Sequence, residues 1–559
     1  MEIKMFLIPG GKKGRAGKMN VKEGDAVREG DILVQVETTK GNRPIKAPNA
    51  GIITKVLCEE GGEISSEQVL FELDPCACAE ESVQEDVAKA GGSEEIKTDL
   101  LIIGAGPGGY VAAIYAAKKG LKVTLAESEE LGGTCLNVGC IPTKALIKSS
   151  EVFRDVRGSA EFGITVDGEP HADMARIIRR KDEVRERLVS GIASLLENNG
   201  VQVIRGRAAF LSADSVAVEG KVKYTVSAKD IIIATGSKVS KVNIPGIDLP
   251  VVMDSTKALS CTDMPQAVTI VGGGVIGMEF AFMYSNLGVK VHVVEFLDRL
   301  LAMLDGEISK SIRGYAEQAG ISIHTGSKVT RIRQSEDSKA VVTYEDGDGE
   351  HVLVSDKVLV AIGRQPNLDG LDIEKAGVAL NERGRGISVD GHMRTNVEHI
   401  YAVGDVTNII QLAHVASHQG MAAVDNILGK AADVDYSAIP NVVFTSPEIS
   451  GVGLTEGDCR KRGMDFSVST ATYAANGKAL TMNEPEGFAK LVRDNATRRI
   501  VGGFIIGADA SSLISTLTTA VSQGLTDEEL AGEVFAHPTT AEVIHEAAMG
   551  FGAGAIHEL

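Results

Sequence analysis

The sequence lacks any apolar run long enough to cross a membrane, and its opening residues, Met-Glu-Ile-Lys-Met, lack the apolar stretch of a secretory signal. Positive charge is in short supply: 57 Lys and Arg face 76 Asp and Glu, a formal net charge of −19. That balance argues against nucleic acid, whose phosphates demand a basic face, and against an anionic membrane surface. Cysteine is scarce as well. Seven in 559 residues, widely scattered, are too few for a secreted disulfide framework. A cytoplasmic protein with one functional cysteine pair and no metal is the expectation.

A chain of 559 residues exceeds one hydrophobic core, so three or more domains are expected. Residues 1–74 form a small all-β unit with an internal repeat: the pattern of Val21–Val27 and Asp31–Val36 returns 37 residues later as Cys58–Ile64 and Gln68–Leu73. Both halves end in alternating strands, which suits a two-fold sandwich built from hairpins. Between the halves, the turn-rich Glu37–Asn42 would hold Lys40 at an exposed tip. Residues 75–98 turn polar, acidic and rich in Ala and Gly, as a flexible linker does.

From 99 onward strands and helices alternate. The expected fold class is α/β, with two Rossmann-like nucleotide-binding domains, an α+β dimerisation domain and the small β sandwich in front. The expected boundaries are 99–246 and 366–440 for one nucleotide domain, 247–365 for the other and 441–559 for the last. That last segment mixes strands (Phe488–Val492, Ile500–Ile506) with helices (Ser511–Gln523, Thr539–Ala548), carries no nucleotide fingerprint and suits subunit contact.

Two glycine fingerprints carry the nucleotide assignment. Gly104-Ala-Gly106-Pro-Gly-Gly109 follows the apolar run Leu100–Ile103 and is answered by Glu127, 23 residues after its first glycine. Gly272-Gly-Gly274-Val-Ile-Gly277 follows Ala267–Val271 and is answered by Glu295, again 23 residues on. One such motif is weak evidence, but two complete strand–turn–helix–strand–acid units imply two dinucleotides on one polypeptide.

Between them lies Cys135-Leu-Asn-Val-Gly-Cys140. In a regular helix residues five apart are about 7.5 Å apart along the axis, whereas a disulfide needs α-carbons within about 4.4–6.8 Å. The two sulfurs can bridge only if the segment is distorted, and Asn137, Gly139 and Pro142 supply the means. A pair of small buried hydrophobes is the bland alternative, and a zinc site lacks further ligands at metal spacing nearby. Cys76 and Cys78 sit in the linker without partners and are taken as incidental.

Gly133-Thr-Cys135-Leu-Asn-Val-Gly-Cys140-Ile-Pro-Thr-Lys144 resembles the redox segment of the pyridine nucleotide–disulfide oxidoreductases, and within that family the dihydrolipoamide-oxidising branch. The likeness extends through Gly-Met278-Glu279, Ala-Ile-Gly-Arg364-Gln-Pro-Asn367, Tyr401-Ala-Val-Gly-Asp405 and His537-Pro-Thr-Thr-Ala-Glu542. It implies FAD on the first fingerprint, with its ribose on Glu127 and Asp405 at its ribityl and phosphate side. It implies NAD on the second, an ion pair of Lys144 with Glu279 beside the flavin, and Ala208, Thr235, Gly236, Ala413, Val329 and Gly363 in the cofactor sites. Without the family, Lys144 is a solvated helix lysine and Asp405 a turn or N-cap aspartate.

His537 and Glu542 resemble the family's acid–base dyad, contributed by the partner subunit of an obligate homodimer. Pro538 suits the first position of a helix, which would put the ring at a helix start. The family often has another His two residues earlier, where this chain has Phe535. The first 74 residues resemble a lipoyl domain with Lys40 as the lipoylated residue. Biotinyl carriers place Met on both sides of their lysine, while here Thr39 and Gly41 flank it. The implied partners are lipoyl-bearing proteins and the acyltransferase or aminomethyl-transfer components of a multienzyme system. A competing reading makes the chain a lipoyl carrier or docking scaffold with a related disulfide reductase body, against which the intact thiol pair and dyad weigh.

Glu295 decides the nicotinamide. A carboxylate there accepts hydrogen bonds from a ribose 2′-hydroxyl and repels a 2′-phosphate. Steady-state kinetics should favour NAD⁺ over NADP⁺ by orders of magnitude in kcat/KM. Equal efficiency with both would overturn the assignment.

Overall fold

The computed structural model describes residues 2–5, 13–27, 30–38, 41–49, 51–66, 68–74 and 93–557. They divide into two units, Met1–Ser93 and Glu94–Leu559. In the first, short strands of alternating burial make β1 (Glu2–Lys4), β2 (Gly14–Met19), β3 (Ala26–Val27), β4 (Ile32–Thr38), β5 (Gly41–Lys46), β6 (Gly51–Val56), β7 (Glu63–Ile64) and β8 (Val69–Asp74). They pair as two four-stranded sheets, β1-β8-β6-β3 and β5-β4-β2-β7. A 37-residue shift carries β2, β3 and β4 onto β6, β7 and β8, so each sheet is the counterpart of the other. Gly24 and Gly61, equivalent under that shift, both sit at positive φ (91° and 80°), where a side chain would be strained. Val36, Ile53, Phe71 and Leu73 from both halves fill the core. Strands β4 and β5 are antiparallel, with Thr38 opposite Gly41. Lys40 lies outside the described residues, as do Cys76 and Cys78.

The second unit begins with β9 (Glu94–Ile103), five residues inside the stretch expected to be linker up to residue 98. Its polar start is held by tertiary pairing: Glu94 to Thr98 run parallel to Tyr224–Ala228, part of the strand Lys223–Ile233. Backbone hydrogen bonds in a ladder do not depend on side-chain polarity, so composition misplaces this edge. After β9 come α1 (Pro107–Lys118), β10 (Val123–Glu127), α2 (Gly133–Asn137) and α3 (Cys140–Arg157). Strands Gln202–Arg205, β10, β9, Lys223–Ile233 and Ile400–Ala402 are parallel, with two antiparallel strands at Arg207–Ser212 and Ser215–Glu219.

The second nucleotide unit is a five-stranded parallel sheet in the order Val252–Asp254, Lys357–Val360, Ala267–Val271, Lys290–Val294, Ser322–His324. Both parallel sheets have the near-continuous apolar strands of sheets covered on two faces, such as the fully buried Leu100–Ile102 and Ile231–Ile233. The last segment folds as an antiparallel five-stranded sheet with helices Ala510–Gln523 and Glu542–Met549. Strand Ile500–Ile506 falls where the sequence places it.

One buried cation pins this last segment to the second nucleotide unit. Lys490, 1% exposed, reaches Asp305 at 2.9 Å, Glu307 at 3.0 Å and Glu456 at 2.5 Å. Asp305 also caps helix Gly306–Gln318. Removing one partner of a buried ion pair leaves the other charge uncompensated, at about 3–5 kcal/mol. Lys490→Met should therefore lower the thermal unfolding midpoint by several degrees. A midpoint within one degree of the parent would show that the cluster does not hold the domains.

Candidate active site

The two glycine loops are built alike. Gly104 and Gly272 both take positive φ (104° and 112°), and a Cβ on either would lie 2.4 to 2.5 Å from the backbone carbonyl just past the end of the neighbouring strand, Ala234 or Ala361. The third glycines, Gly109 and Gly277, would drive a Cβ to 1.8 and 1.9 Å from the carbonyl of Gly104 or Gly272. Only glycine lets each helix start against its strand. Of the middle glycines, Gly274 faces open space, and a Cβ on Gly106 would meet only the Gly133 Cα, at 4.0 Å.

Each acidic residue then clamps its loop. Glu127 accepts from the N–H groups of Ala105 (2.6 Å) and Glu129 (2.7 Å), and Glu295 accepts from those of Gly273 (2.5 Å) and Leu297 (2.7 Å). Each carboxylate keeps further acceptor sites beyond these two bonds. Arg299, the first cation after Glu295, donates to the Ala302 carbonyl at 2.7 Å.

The loops fit a dinucleotide on this evidence. Helices α1 and Val275–Asn286 begin at Gly106 and Gly274 with no side-chain cap, whereas the helices starting at Met174, Ser255 and Gly306 are capped by Asp173, Asp254 and Asp305. Free N–H groups at a helix start, with no side chain in front of them, are the arrangement that receives a pyrophosphate.

Both loops open on one cavity of about 1680 Å³. Cys135, Cys140 and Lys144 line it, as do Glu127, Ala208, Thr235, Gly236, Asp405 and Ala413 from the first nucleotide domain. Glu279, Glu295, Val329 and Gly363 line it from the second. Gly109 and Gly277 sit behind the loops as packing residues. His537 and Glu542 are not on this cavity.

The thiol segment is a broken helix. After α2, Val138 and Gly139 leave helical angles (φ −141°, ψ 28° and φ −144°, ψ −117°), and α3 restarts at Cys140. Asn137 Nδ2 donates to the carbonyls of Leu131 and Gly133, and a Cβ at Gly139 would meet the Thr134 carbonyl at 2.8 Å. Pro142, in the first turn of α3, sits where no N–H is needed.

Both sulfurs are free thiols in this structure, the reduced form of the pair. Their hydrogen bond makes them unequal. It holds the Cys135 proton and pushes that thiol well above the ordinary range. The same bond brings Cys140 down from 9.0 to about 7, against the effect of burial and with help from Lys144. The pair loses its first proton as a unit.

Lys144, one turn after Cys140 on α3, binds both oxygens of the buried Glu279 (2.8 and 2.9 Å) and lies 4.5 Å from the centroid of the Phe444 ring. Phe444 N–H donates to Glu279 as well. Asp405 accepts from Ser237 Oγ at 2.5 Å. Arg364 donates to Ser237 Oγ (2.8 Å), the Ser237 carbonyl (2.6 Å) and Thr134 Oγ1 (3.2 Å), next to Cys135. Sequence reasoning assigned no role to Ser237, Thr134 or Phe444, because nothing local marks partners 127 to 230 residues away in the chain.

The dyad forms as expected in its contacts and differs in its backbone. His537 Nδ1 and Glu542 Oε1 are 2.9 Å apart, and Thr539 N–H donates to Glu542 Oε2 at 2.9 Å. Burial pushes the Glu542 carboxyl up, but the Thr539 N–H and His537 more than offset it and leave it below its usual range. The helix begins at Glu542, so Pro538 is not at its first position, and a turn at Thr540 and Ala541 precedes it. His537 is 78% exposed.

Two dinucleotide loops and an acidic thiol pair on one cavity are the parts of a nucleotide-dependent disulfide oxidoreductase. The chain belongs to the pyridine nucleotide-disulphide oxidoreductase family: residues 98–420 match that family's model and 439–548 match its dimerisation domain. Residues 8–73 match the model described as biotin-requiring enzyme, which spans biotinyl and lipoyl domains. The dihydrolipoyl dehydrogenase of Haloferax volcanii is 41% identical over 469 residues, covering 83% of this chain and 98% of that protein. That of Bacillus subtilis is 39% identical over 460 residues, covering 82% and 97%. Among solved structures, the HOCl-induced flavoprotein disulfide reductase RclA from Escherichia coli has a TM-score of 0.72 at 33% identity, covering 80% of this chain and 99% of its own. LpdA from Mycobacterium tuberculosis has a TM-score of 0.76 at 26% identity, covering 81% and 99%.

Because Cys140 is lowered to about 7, its thiolate is present above that pH and lost as pH falls through it. Alkylation of the reduced protein by iodoacetamide should rise to half its limit near pH 7, with peptide mass spectrometry confirming the 135–140 segment as the target. Lys144→Met should move that midpoint up by about 1–3 units, the reach of a nearby opposite charge. A midpoint near 9 in the unaltered protein would contradict the assignment.

Proposed function

We propose that this chain is an NAD-dependent dihydrolipoyl dehydrogenase that oxidises protein-bound dihydrolipoyl groups in a multienzyme system handling 2-oxo acids, acetoin or glycine. The observation that carries the reading is the acidic thiol pair sharing one cavity with both dinucleotide loops. Gly104, Gly106, Glu127 and Asp405 would hold FAD, and Gly272, Gly274 and Glu295 would hold NAD. Bound there, a flavin and a nicotinamide would supply two-electron acceptor and hydride-carrier chemistry beside the thiols.

The chain's own residues perform the thiol chemistry. In the oxidised form Cys135 and Cys140 are joined. His537, oriented by Glu542 through Nδ1, takes the proton of one substrate thiol at Nε2, and the thiolate attacks the sulfur of Cys135. The Cys135–Cys140 bond breaks as a substrate–Cys135 disulfide forms, and the pair of electrons leaves on Cys140. A thiolate stabilised by a nearby cation is a good leaving group, which is what Lys144 provides here, and once the substrate has left, the Cys135 thiol adds its hydrogen bond to Cys140. The second substrate thiol attacks the substrate sulfur of the mixed disulfide and expels Cys135, which takes up that thiol's proton. The product is a closed dithiolane, and both electrons remain on the two cysteines.

His537 lies outside the cavity of its own chain, so the dyad serves the thiols of a second copy. A homodimer through residues 441–559 supplies the partner subunit's His537. Lys40 would carry the lipoyl group of the front domain, and other lipoyl-bearing proteins and their acyltransferase or aminomethyl-transfer components are the partners.

Cys135→Ser and Cys140→Ser should each abolish dihydrolipoamide turnover, and His537→Gln should slow it by about 10²–10⁴, the usual reach of acid–base catalysis. Mixing inactive His537→Gln and Cys135→Ser subunits should restore activity in hybrid dimers, where one site has both parts intact. No restoration after verified subunit exchange would refute the shared site.

A further inference from the structure

The chain crosses from the first nucleotide domain to the second through Ser237–Val239 and returns through Arg364–Pro366. The two strands pair antiparallel, Ser237 opposite Pro366 and Val239 opposite Arg364, so both crossings form one joint. Three more bonds tighten it. Asn367 N–H donates to the Gly236 carbonyl at 2.9 Å, Ser240 N–H to the Gly363 carbonyl at 3.1 Å and Thr235 Oγ1 to the Asn367 carbonyl at 2.8 Å.

Arg364, at the head of the returning strand, carries this joint to the thiols. Its Nε and Nη2 both hold Ser237, at 2.8 Å to Oγ and 2.6 Å to the carbonyl, and Nη2 also donates to Thr134 Oγ1 at 3.2 Å. Thr134 is the residue round which the broken helix folds. Its carbonyl accepts from Val138 N–H at 2.9 Å, and a Cβ on Gly139 would lie 3.2 Å from its Cγ2. Cys135 is the next residue. The thiol chemistry gives neither Thr134 nor Arg364 a proton or an electron to move.

We propose that Arg364 is a positioning residue for the thiol pair: its planar fork splints Thr134 to the joint between the nucleotide domains and so keeps the two sulfurs of the reduced form in hydrogen-bond range. This rests on Cys135 and Cys140 being the exchanging pair of the proposed function. A guanidinium presents its donors in one fixed plane, which suits holding Ser237 and Thr134 at once, whereas an ammonium is a compact point charge without that fork. Burial works against the charge of Arg364, while Asp405, Cys140 and Asp254 favour it.

The splint matters unequally to the two redox forms. A Cys135–Cys140 disulfide restrains the segment by its own covalent link, whereas the dithiol depends on bonds from outside. Without the splint the dithiol gains conformational freedom that the disulfide does not, so the balance moves toward the dithiol. The looser segment also weakens the hold of Cys135 on Cys140.

The test is the exchange equilibrium, in which dihydrolipoamide gives two electrons and two protons to the Cys135–Cys140 bond and becomes lipoamide. The full-length protein, without NAD⁺, is equilibrated with graded mixtures of the two and quenched by alkylation. Peptide mass spectrometry then reads the ratio at which half of the 135–140 segment is disulfide. Thr134→Val keeps the shape of the side chain and removes the acceptor. It should need about threefold to tenfold more lipoamide relative to dihydrolipoamide, the equivalent of one net hydrogen bond. Arg364→Lys, which keeps the charge and loses the fork, should match it. The Cys135 hydrogen bond is the largest cause of the lowered Cys140 thiol, so in both variants the alkylation midpoint should also move up from about 7. An unchanged ratio or midpoint in Thr134→Val would remove the splint. A parent-like ratio in Arg364→Lys, with a shifted one in Arg364→Met, would make charge alone the cause and overturn the inference as well. If the unaltered protein formed no reversible Cys135–Cys140 disulfide, the proposed function would fall instead.

Discussion

The contact between Lys144 and Glu279 is the one on which the site depends. It joins α3, whose first residue is Cys140, to the helix that starts at the second glycine loop, and Phe444 of the last segment closes over both. Three domains thus meet at one buried carboxylate beside the thiol. A charge buried at 3% exposure is tolerated only when it is paired and hydrogen-bonded, and Glu279 has an ammonium on both oxygens and a backbone N–H on one. The same ammonium lowers Cys140, so the contact that holds the domains together also prepares the leaving group.

The fold repeats one solution twice for binding. A strand ends at a positive φ that favours glycine, a helix begins uncapped, and a glutamate one strand away ties the loop by two N–H groups. Rigid loops are the price of precise placement, since the free N–H groups must keep facing the cavity. Between the two, the interrupted helix at Val138 and Gly139 brings sulfurs five residues apart into hydrogen-bond range, which continuous helix geometry forbids.

The front unit follows a different logic. Its two sheets are counterparts under a 37-residue shift, and a core of residues from both halves closes a module of its own. Such a module needs only its own core to fold, whereas the body must bring groups from three domains to one site.

What the sequence determined by itself was local in origin: the glycine turns, the broken cysteine segment, the half-repeat and the His–Glu spacing of five. Each depends on backbone angles or reach within a few dozen residues, so spacing alone reveals it. The family resemblance named Lys144 with Glu279 and Asp405, but their geometry is a matter of domain packing. Only the tertiary structure decided that Glu127 and Glu295 are loop clamps, that Arg364 ties Thr134 to Ser237 and Asp405, and that Glu279 is capped by the backbone of Phe444. It also moved the first strand back to Glu94, where pairing outweighs a polar composition, and delayed the last helix to Glu542. Partners up to 230 residues apart meet because sheets and helices pack, and no periodicity along the chain encodes which side chains that packing will bring together.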